Sequence, residues 1–104
     1  MDHHYFLLKL EVSRGAQRSQ LDFSLLYLTN NVTFALKNLF GEIGAAVPVE
    51  VIKFYPKSSQ LIVQCPSDWA VKVRASLSLQ SSYQGQSCAY QVIKDSATLL
   101  SLAQ

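Results

Sequence analysis

The side chains able to do chemistry are few and widely spaced. Cys65 and Cys88 stand in separate apolar runs, with no Cys-x-x-Cys spacing and no Cys/His cluster, which removes the usual zinc frameworks. His3 and His4 adjoin near the amino end without another ligand close in sequence, so they read as solvated histidines rather than a metal site. Arg14-Gly15 follows the first apolar run and could cradle a phosphate, with Asn30, Asn31 or Asn38 orienting a water. No Ser/His/Asp set, paired-carboxylate motif or P-loop is present. The residue types therefore point away from a self-contained active site, a metal or a cofactor, and toward a protein that works by binding.

Composition supports that direction. Hydrophobic residues make up 49% of the 104 residues and charged residues 15%, against roughly 25% charged in ordinary globular domains. A small surface so short of charge suits coverage by a partner, although Ser and Gln also supply solubility here. Nine basic and seven acidic residues leave a net charge of +2. That balance permits RNA contact without demanding it, since domains held on nucleic acid mainly by charge are far more basic. No apolar run reaches the roughly 18 residues of a membrane span, and no signal-peptide pattern precedes the first strand. One domain over residues 1–104, in an intracellular, reducing compartment, is the expectation; about two-thirds of the unfolded surface can be buried at this length.

The elements that must position any site follow from periodicity. Tyr5 to Val12 reads as a strand and residues 13–18 as a loop. Ser19 and Asp22 match a capping box, and Leu21, Leu25, Leu28, Val32, Leu36 and Leu39 form one helical stripe. Gly41 stands where a left-handed cap is wanted. Thr29, Asn30 and Asn31 are weak helix formers, so that helix needs tertiary packing. Val47 to Tyr55 and Gln60 to Cys65 read as a hairpin around Pro56-Lys57-Ser58-Ser59. Pro66-Ser67-Asp68 opens a second helix with Trp69, Val73 and Leu77 stacked at intervals of four. Cys88 to Ile93 is a fourth strand, and a short closing helix with Leu99, Leu100 and Leu102 follows. The order βαββαβ predicts an α+β, ferredoxin-like or RRM-like antiparallel sheet with both helices on one face. With strand order 4-1-3-2, Cys65 and Cys88 fall two strands apart, roughly 10 Å, which is too far for a disulfide.

Helices on one side leave a second sheet face whose content alternation assigns. Lys9, Glu11, Glu50, Gln60, Gln64 and Gln91 should point outward, bringing Tyr5, Leu7, Ile52, Phe54, Ile62 and Ile93 to the same face. These six form a candidate protein interface, unless the closing leucines fold back over them. Base stacking in the RRM manner is disfavoured, because Gln60-Leu61-Ile62-Val63-Gln64-Cys65 carries no aromatic residue and Tyr5 is the one plausible stacker. Small phosphatases of the acylphosphatase kind share this topology, but their longer loop pattern around the arginine is absent. Topology alone confers no function, and an unrelated ferredoxin-like interaction module is the alternative reading.

Four segments narrow the choice. Leu39-Phe40-Gly41-Glu42-Ile43-Gly44-Ala45-Ala46 closes the first helix, Ser76-Leu77-Ser78-Leu79 ends the second, and Ser82-Tyr83-Gln84-Gly85 precedes Cys88-Ala89-Tyr90-Gln91-Val92-Ile93. In this order the chain resembles the small protein subunits of ribonuclease P and ribonuclease MRP over roughly residues 4–102. Ser82 to Gly85 and Cys88 to Tyr90 look closer to the fourteen-kilodalton-subunit branch than to the Pop-five branch. Asp95-Ser96-Ala97-Thr98 departs from the Ser-Gly-Thr-like ending of the latter. The resemblance implies a non-catalytic subunit of a nuclear, nucleolar ribonucleoprotein that trims the 5′ leader of precursor tRNA. It also implies a Pop-five-like paralogue, thirty- and forty-kilodalton-type subunits and the ribonuclease RNA as partners. Lys53, Lys57, Lys72 and Arg74 are the candidate RNA contacts, with a protein-bridging role ahead of direct RNA binding.

Overall fold

The computed structural model describes residues 2–12, 24–80, 82–83, 86–99 and 102. The elements are β1 (His3–Val12), α1 (Leu25–Ala45), β2 (Glu50–Tyr55), β3 (Gln60–Pro66), α2 (Ala70–Leu79), β4 (Ser82–Tyr83) and β5 (Gln86–Ser96). Their sheet order is β2-β3-β1-β5-β4, with antiparallel pairing throughout. The four expected strands hold the expected order, and β4 is a two-residue addition paired with the start of β5. The α+β, ferredoxin-like plan is thus the one observed.

Strand β1 is hydrogen-bonded on both sides, and its alternation builds the main core. Phe6, Leu8 and Leu10 face the helices, where they meet Val51, Leu61, Val63, Cys65, Cys88 and Tyr90 from the other strands. Leu28, Val32 and Leu36 of α1, with Val73 and Leu77 of α2, close this layer. Spacings of three and four keep each set of helical residues on one stripe, so burial of that stripe holds the weak helix formers in place.

Helix α1 begins behind Ser24, whose Oγ accepts the Tyr27 N–H at 3.1 Å and satisfies one orphan first-turn donor. The Ser19–Asp22 pair and Leu21 lie outside the described residues. Leu25 and Leu39, at the ends of the predicted stripe, are half exposed. Gly41 does take positive φ (67°, ψ −148°), yet it kinks α1 rather than ending it, and helix resumes to Ala45. The kink brings Gly44 against the preceding turn: a Cβ there would collide with the Leu36 carbonyl oxygen and lie 2.9 Å from the Phe40 Cβ. Helix α2 is entered through a 3-10 turn, Ser67–Trp69, after the proline that ends β3.

Two polar side chains of α1 help tie the helical layer to the sheet. Thr29 Oγ1 accepts the Val51 N–H at 3.0 Å, anchoring α1 to β2. Asn31 is buried; it accepts from Gln80 Nε2 at 2.7 Å and donates to Cys88 Sγ at 3.8 Å, linking α1, the end of α2 and β5. A buried amide left unpaired is costly, so this chain fixes how α1 and α2 sit relative to one another.

Two register shifts overturn part of the alternation. Val51 pairs with Val63 but Lys53 pairs with Ile62, so Ile52 is an extra residue in β2. Beyond that bulge every side chain changes face, because the side-chain period of a strand is two. Phe54 therefore packs against the helix-side core, and the open face takes Tyr55 instead. A second shift, between Leu7 and Leu8 of β1, leaves Ile93 as the extra residue of β5.

Both cysteines are free and buried, as small hydrophobes. Their separation is larger than the 10 Å of the sequence estimate: Cys65 pairs opposite His4 and Cys88 opposite Val12. Eight strand residues put them about 27 Å apart along β1. Burial pushes the Cys65 thiol up to about 11, with the Asp68 carboxylate adding to the shift. Burial also raises the Cys88 thiol, against the lowering effect of its Asn31 hydrogen bond.

Four outcomes are expected. Gly44→Ala should cost about 1–3 kcal/mol in urea unfolding by overpacking the kink, and Asn31→Ala a similar amount by stranding Gln80. Iodoacetamide at pH 8 should label neither cysteine in the folded chain and both in urea. Because the Cys65 pKa is raised on folding, its contribution is complete below about pH 8.5. Stability should fall as pH rises from there toward about 11, which a urea series against pH would detect.

Candidate functional site

Two surfaces carry the residues singled out by sequence. On the open sheet face, Leu7 of β1 lies opposite Ile62 of β3, and both are buried, at 4% and 2% exposure. The cover is Leu102, itself 1% exposed, with Tyr5, Ile52 and Tyr55 packed around the three. The closing leucines thus fold back over this face through Leu102. Where a short helix was expected, Ala97–Leu99 are bends and Leu102 closes a turn, its N–H donating to Leu99 O at 3.0 Å. Beside this cover is a hollow of about 200 Å³ lined by Ile52, Lys53, Tyr55, Ile62 and Leu99.

Four of the six predicted interface residues therefore share one apolar cluster: Tyr5, Leu7, Ile52 and Ile62. Phe54 is withdrawn to the core by the β2 bulge. Ile93 stands apart in the β5 bulge, 42% exposed. Tyr55 is the member that alternation missed. Its signal would have been the bulge, which no glycine in Glu50–Tyr55 announces. The polar rim matches expectation, with Lys9 between Gln60 and Gln91, and Tyr5 opposite Gln64.

The four basic candidates fall into two pairs on opposite sides of the sheet. Lys53 pairs opposite Ile62 on the open face, its Nζ 5.7 Å from the Tyr55 ring centre, and Lys57 lies exposed in the β2–β3 turn. Lys72 and Arg74 belong to α2 on the helix side. Lys72 Nζ sits 5.2 Å from the Trp69 ring centre, a distance at which the ring face attracts a cation. Trp69 is in turn held edge-on by Phe40 at 5.6 Å. Arg74 is already partnered: Nη1 donates to Asp95 Oδ2 at 3.1 Å, while Asp95 Oδ1 lies 2.8 Å from His4 Nε2. His4 is therefore not simply solvated. It joins a three-residue polar clamp between β1, β5 and α2, beside a groove of about 300 Å³ that also borders Phe6, Ala70 and Val71.

Helix surfaces add exposed apolar residues that the sequence did not assign to the surface. Ile43 is 72% exposed because the Gly41 kink turns it out, and Leu39 and Leu79 flank a shallow cleft between α1 and α2. Its place between Gly41 and Gly44 was the available signal. Among the described residues, no group of three or more His, Cys, Asp or Glu could hold a metal, and no helix is long and apolar enough to cross a membrane. Arg14 and Gly15 lie outside the described residues, and Asn31 is committed to Gln80 and Cys88.

Comparison with known proteins places the chain in a family. The model of the Rpp14/Pop5 family matches residues 4–104. Ribonuclease P protein subunit p14 of Mus musculus is 35% identical over 103 residues, covering 98% of this chain and 80% of that protein. The Homo sapiens protein of the same name is 34% identical over 103 residues, covering 98% and 79%. In the cryo-electron microscopy structure of yeast ribonuclease MRP, one chain superposes with a TM-score of 0.76 at 15% identity, covering 94% of this chain and 76% of that one. That likeness speaks for the fold, and the family match and the p14 relatives for kinship: the chain belongs to the Rpp14/Pop5 family.

Proposed function

We propose that this chain is a non-catalytic protein subunit of a ribonuclease P or ribonuclease MRP ribonucleoprotein, acting in a nuclear, nucleolar assembly that removes the 5′ leader of precursor tRNA. The observation that carries the reading is the near full-length likeness to ribonuclease P protein subunit p14. Family membership displaces the unrelated interaction module and the acylphosphatase-like reading. The character of the described surface supports it further: apolar residues on both faces, and the four basic candidates in two pairs rather than one stripe.

Protein partners come first in this reading, namely a Pop-five-like paralogue and thirty- and forty-kilodalton-type subunits. The chain's part of that contact on the sheet is the accessible margin, Tyr5 and Ile52, rather than the covered centre at Leu7 and Ile62. Ribonuclease RNA is secondary. Lys53 and Lys57, at one hairpin end, are the pair best placed to approach a phosphate backbone together; Arg74 is the least available, being held by Asp95.

Affinity purification of the tagged chain should recover a large RNA and precursor-tRNA 5′-processing activity; a clean monomer carrying neither would overturn the reading. Ile52→Asp should abolish subunit capture while leaving the fold intact. Ile62→Asp should instead lower stability, by about 2 kcal/mol or more, because it puts a charge in a closed apolar site. Lys53→Glu with Lys57→Glu should weaken RNA binding by the subcomplex and reduce its salt slope by about 1 per lost phosphate contact; unchanged binding would remove both from the RNA surface.

A further inference from the structure

We propose that Asp95 is a built-in substitute for phosphate: it fills an oxyanion seat formed by His4 and Arg74, and so keeps this end of α2 from holding RNA. That RNA is the ligand held off rests on the reading above. The seat and its occupant do not, and loss of that reading would leave them standing.

Three elements build the seat. Asp95 of β5 pairs opposite Phe6 of β1 and shares the helix side of the sheet with it. His4, two residues before Phe6, lies on the same side, its ring 5.2 Å from the Phe6 ring. Arg74 comes from α2, one turn beyond Ala70. The two carboxylate oxygens of Asp95 are divided between them: Oδ1 lies 2.8 Å from His4 Nε2, and Oδ2 accepts from Arg74 Nη1 at 3.1 Å. A carboxylate has no hydrogen to give, so His4 Nε2 carries the hydrogen of this contact, and both partners act as donors. Two N–H groups from different elements, aimed at two oxygens of one small anion, are what a phosphate requires as well.

The same geometry shows what the contact withholds. Arg74 is 53% exposed at its side chain, and a groove of about 300 Å³ opens beside it along His4, Phe6, Ala70 and Val71. A phosphate could therefore reach both donors if the carboxylate were absent. With Asp95 in place, the Arg74 charge is matched at close range, and of the two α2 candidates only Lys72, over the Trp69 ring, is left to meet a phosphate backbone. RNA is held by the number of phosphates neutralised, so each cation withdrawn lowers both affinity and its salt dependence. The pair is half exposed and individually weak. Asp95 is tethered beside its donors, however, and this gives it the advantage of effective concentration over a phosphate from solution.

Asp95→Ala tests the seat. In this variant, millimolar inorganic phosphate should shift the ring resonances of His4 saturably, while His3, whose ring lies by Tyr5 on the other side of β1, serves as control. The unmodified chain should show no such shift. Asp95→Ser should behave like Asp95→Ala, with the near-ultraviolet dichroism of Trp69 unchanged in both. Absence of the shift in the variants, or an equal shift in the unmodified chain, would overturn the proposal. Affinity of the full chain for a single-stranded oligouridylate should rise about 3- to 5-fold in Asp95→Ala, with a salt slope steeper by about 0.7. Adding Arg74→Ala should abolish the gain. No gain, or a gain that survives Arg74→Ala, would sink the role of Asp95. An equal gain for oligoglutamate would replace RNA with an acidic protein segment as the ligand held off.

Discussion

Strand β1 is apolar on both of its faces, and the rest of the structure accommodates that constraint. Phe6, Leu8 and Leu10 require a helical layer on one side, which α1 and α2 supply. Leu7, between them, requires cover on the other side, opposite Ile62. A sheet with two helices on one face leaves that second requirement unmet. The chain meets it with Leu102, so among the described residues apolar packing ties the amino-terminal strand to the closing segment.

The helical layer is positioned by less generic means. The Gly41 kink lets the last turn of α1 fold onto Leu36, and Asn31 reaches both Gln80 and Cys88. At the other end, Asp95 holds His4 and Arg74 together. The first of these polar links is buried, and the second is partly exposed. They set the orientation of α2, and through it the display of Lys72 and the apolar residues of the α1–α2 cleft. The family resemblance in the Leu39 to Ala46 turn thus has a structural counterpart: its glycines make a kink and a close approach that other residues would not tolerate.

Function in such a domain is a matter of which surfaces stay available. The sheet, where an RRM stacks bases, is occupied by an aliphatic cluster and its own cover. The four basic candidates are divided between the two sides, and Arg74 is already paired with Asp95. What such a surface offers is shape and apolar contact, which is what the proposed subunit role would draw on.

Local pattern alone determined the βαββαβ order, the antiparallel strand arrangement, the buried stripe of Leu28, Val32 and Leu36, the burial of both cysteines and the family. Each of these depends on periodicity or on a run of residues close together in the chain. The sequence also showed that β1 would present Leu7 beside Lys9, because alternation there is unbroken. Only the tertiary structure decided the faces of Phe54 and Tyr55, since a bulge at Ile52 is set by how β2 must register against β3. It decided as well the fate of Asn31 and His4, whose partners lie 57 and 91 residues away at Cys88 and Asp95. Most consequentially, it placed Leu102 over Leu7 and Ile62. That contact joins residues from opposite ends of the chain, and no pattern within either end carries the information that they meet.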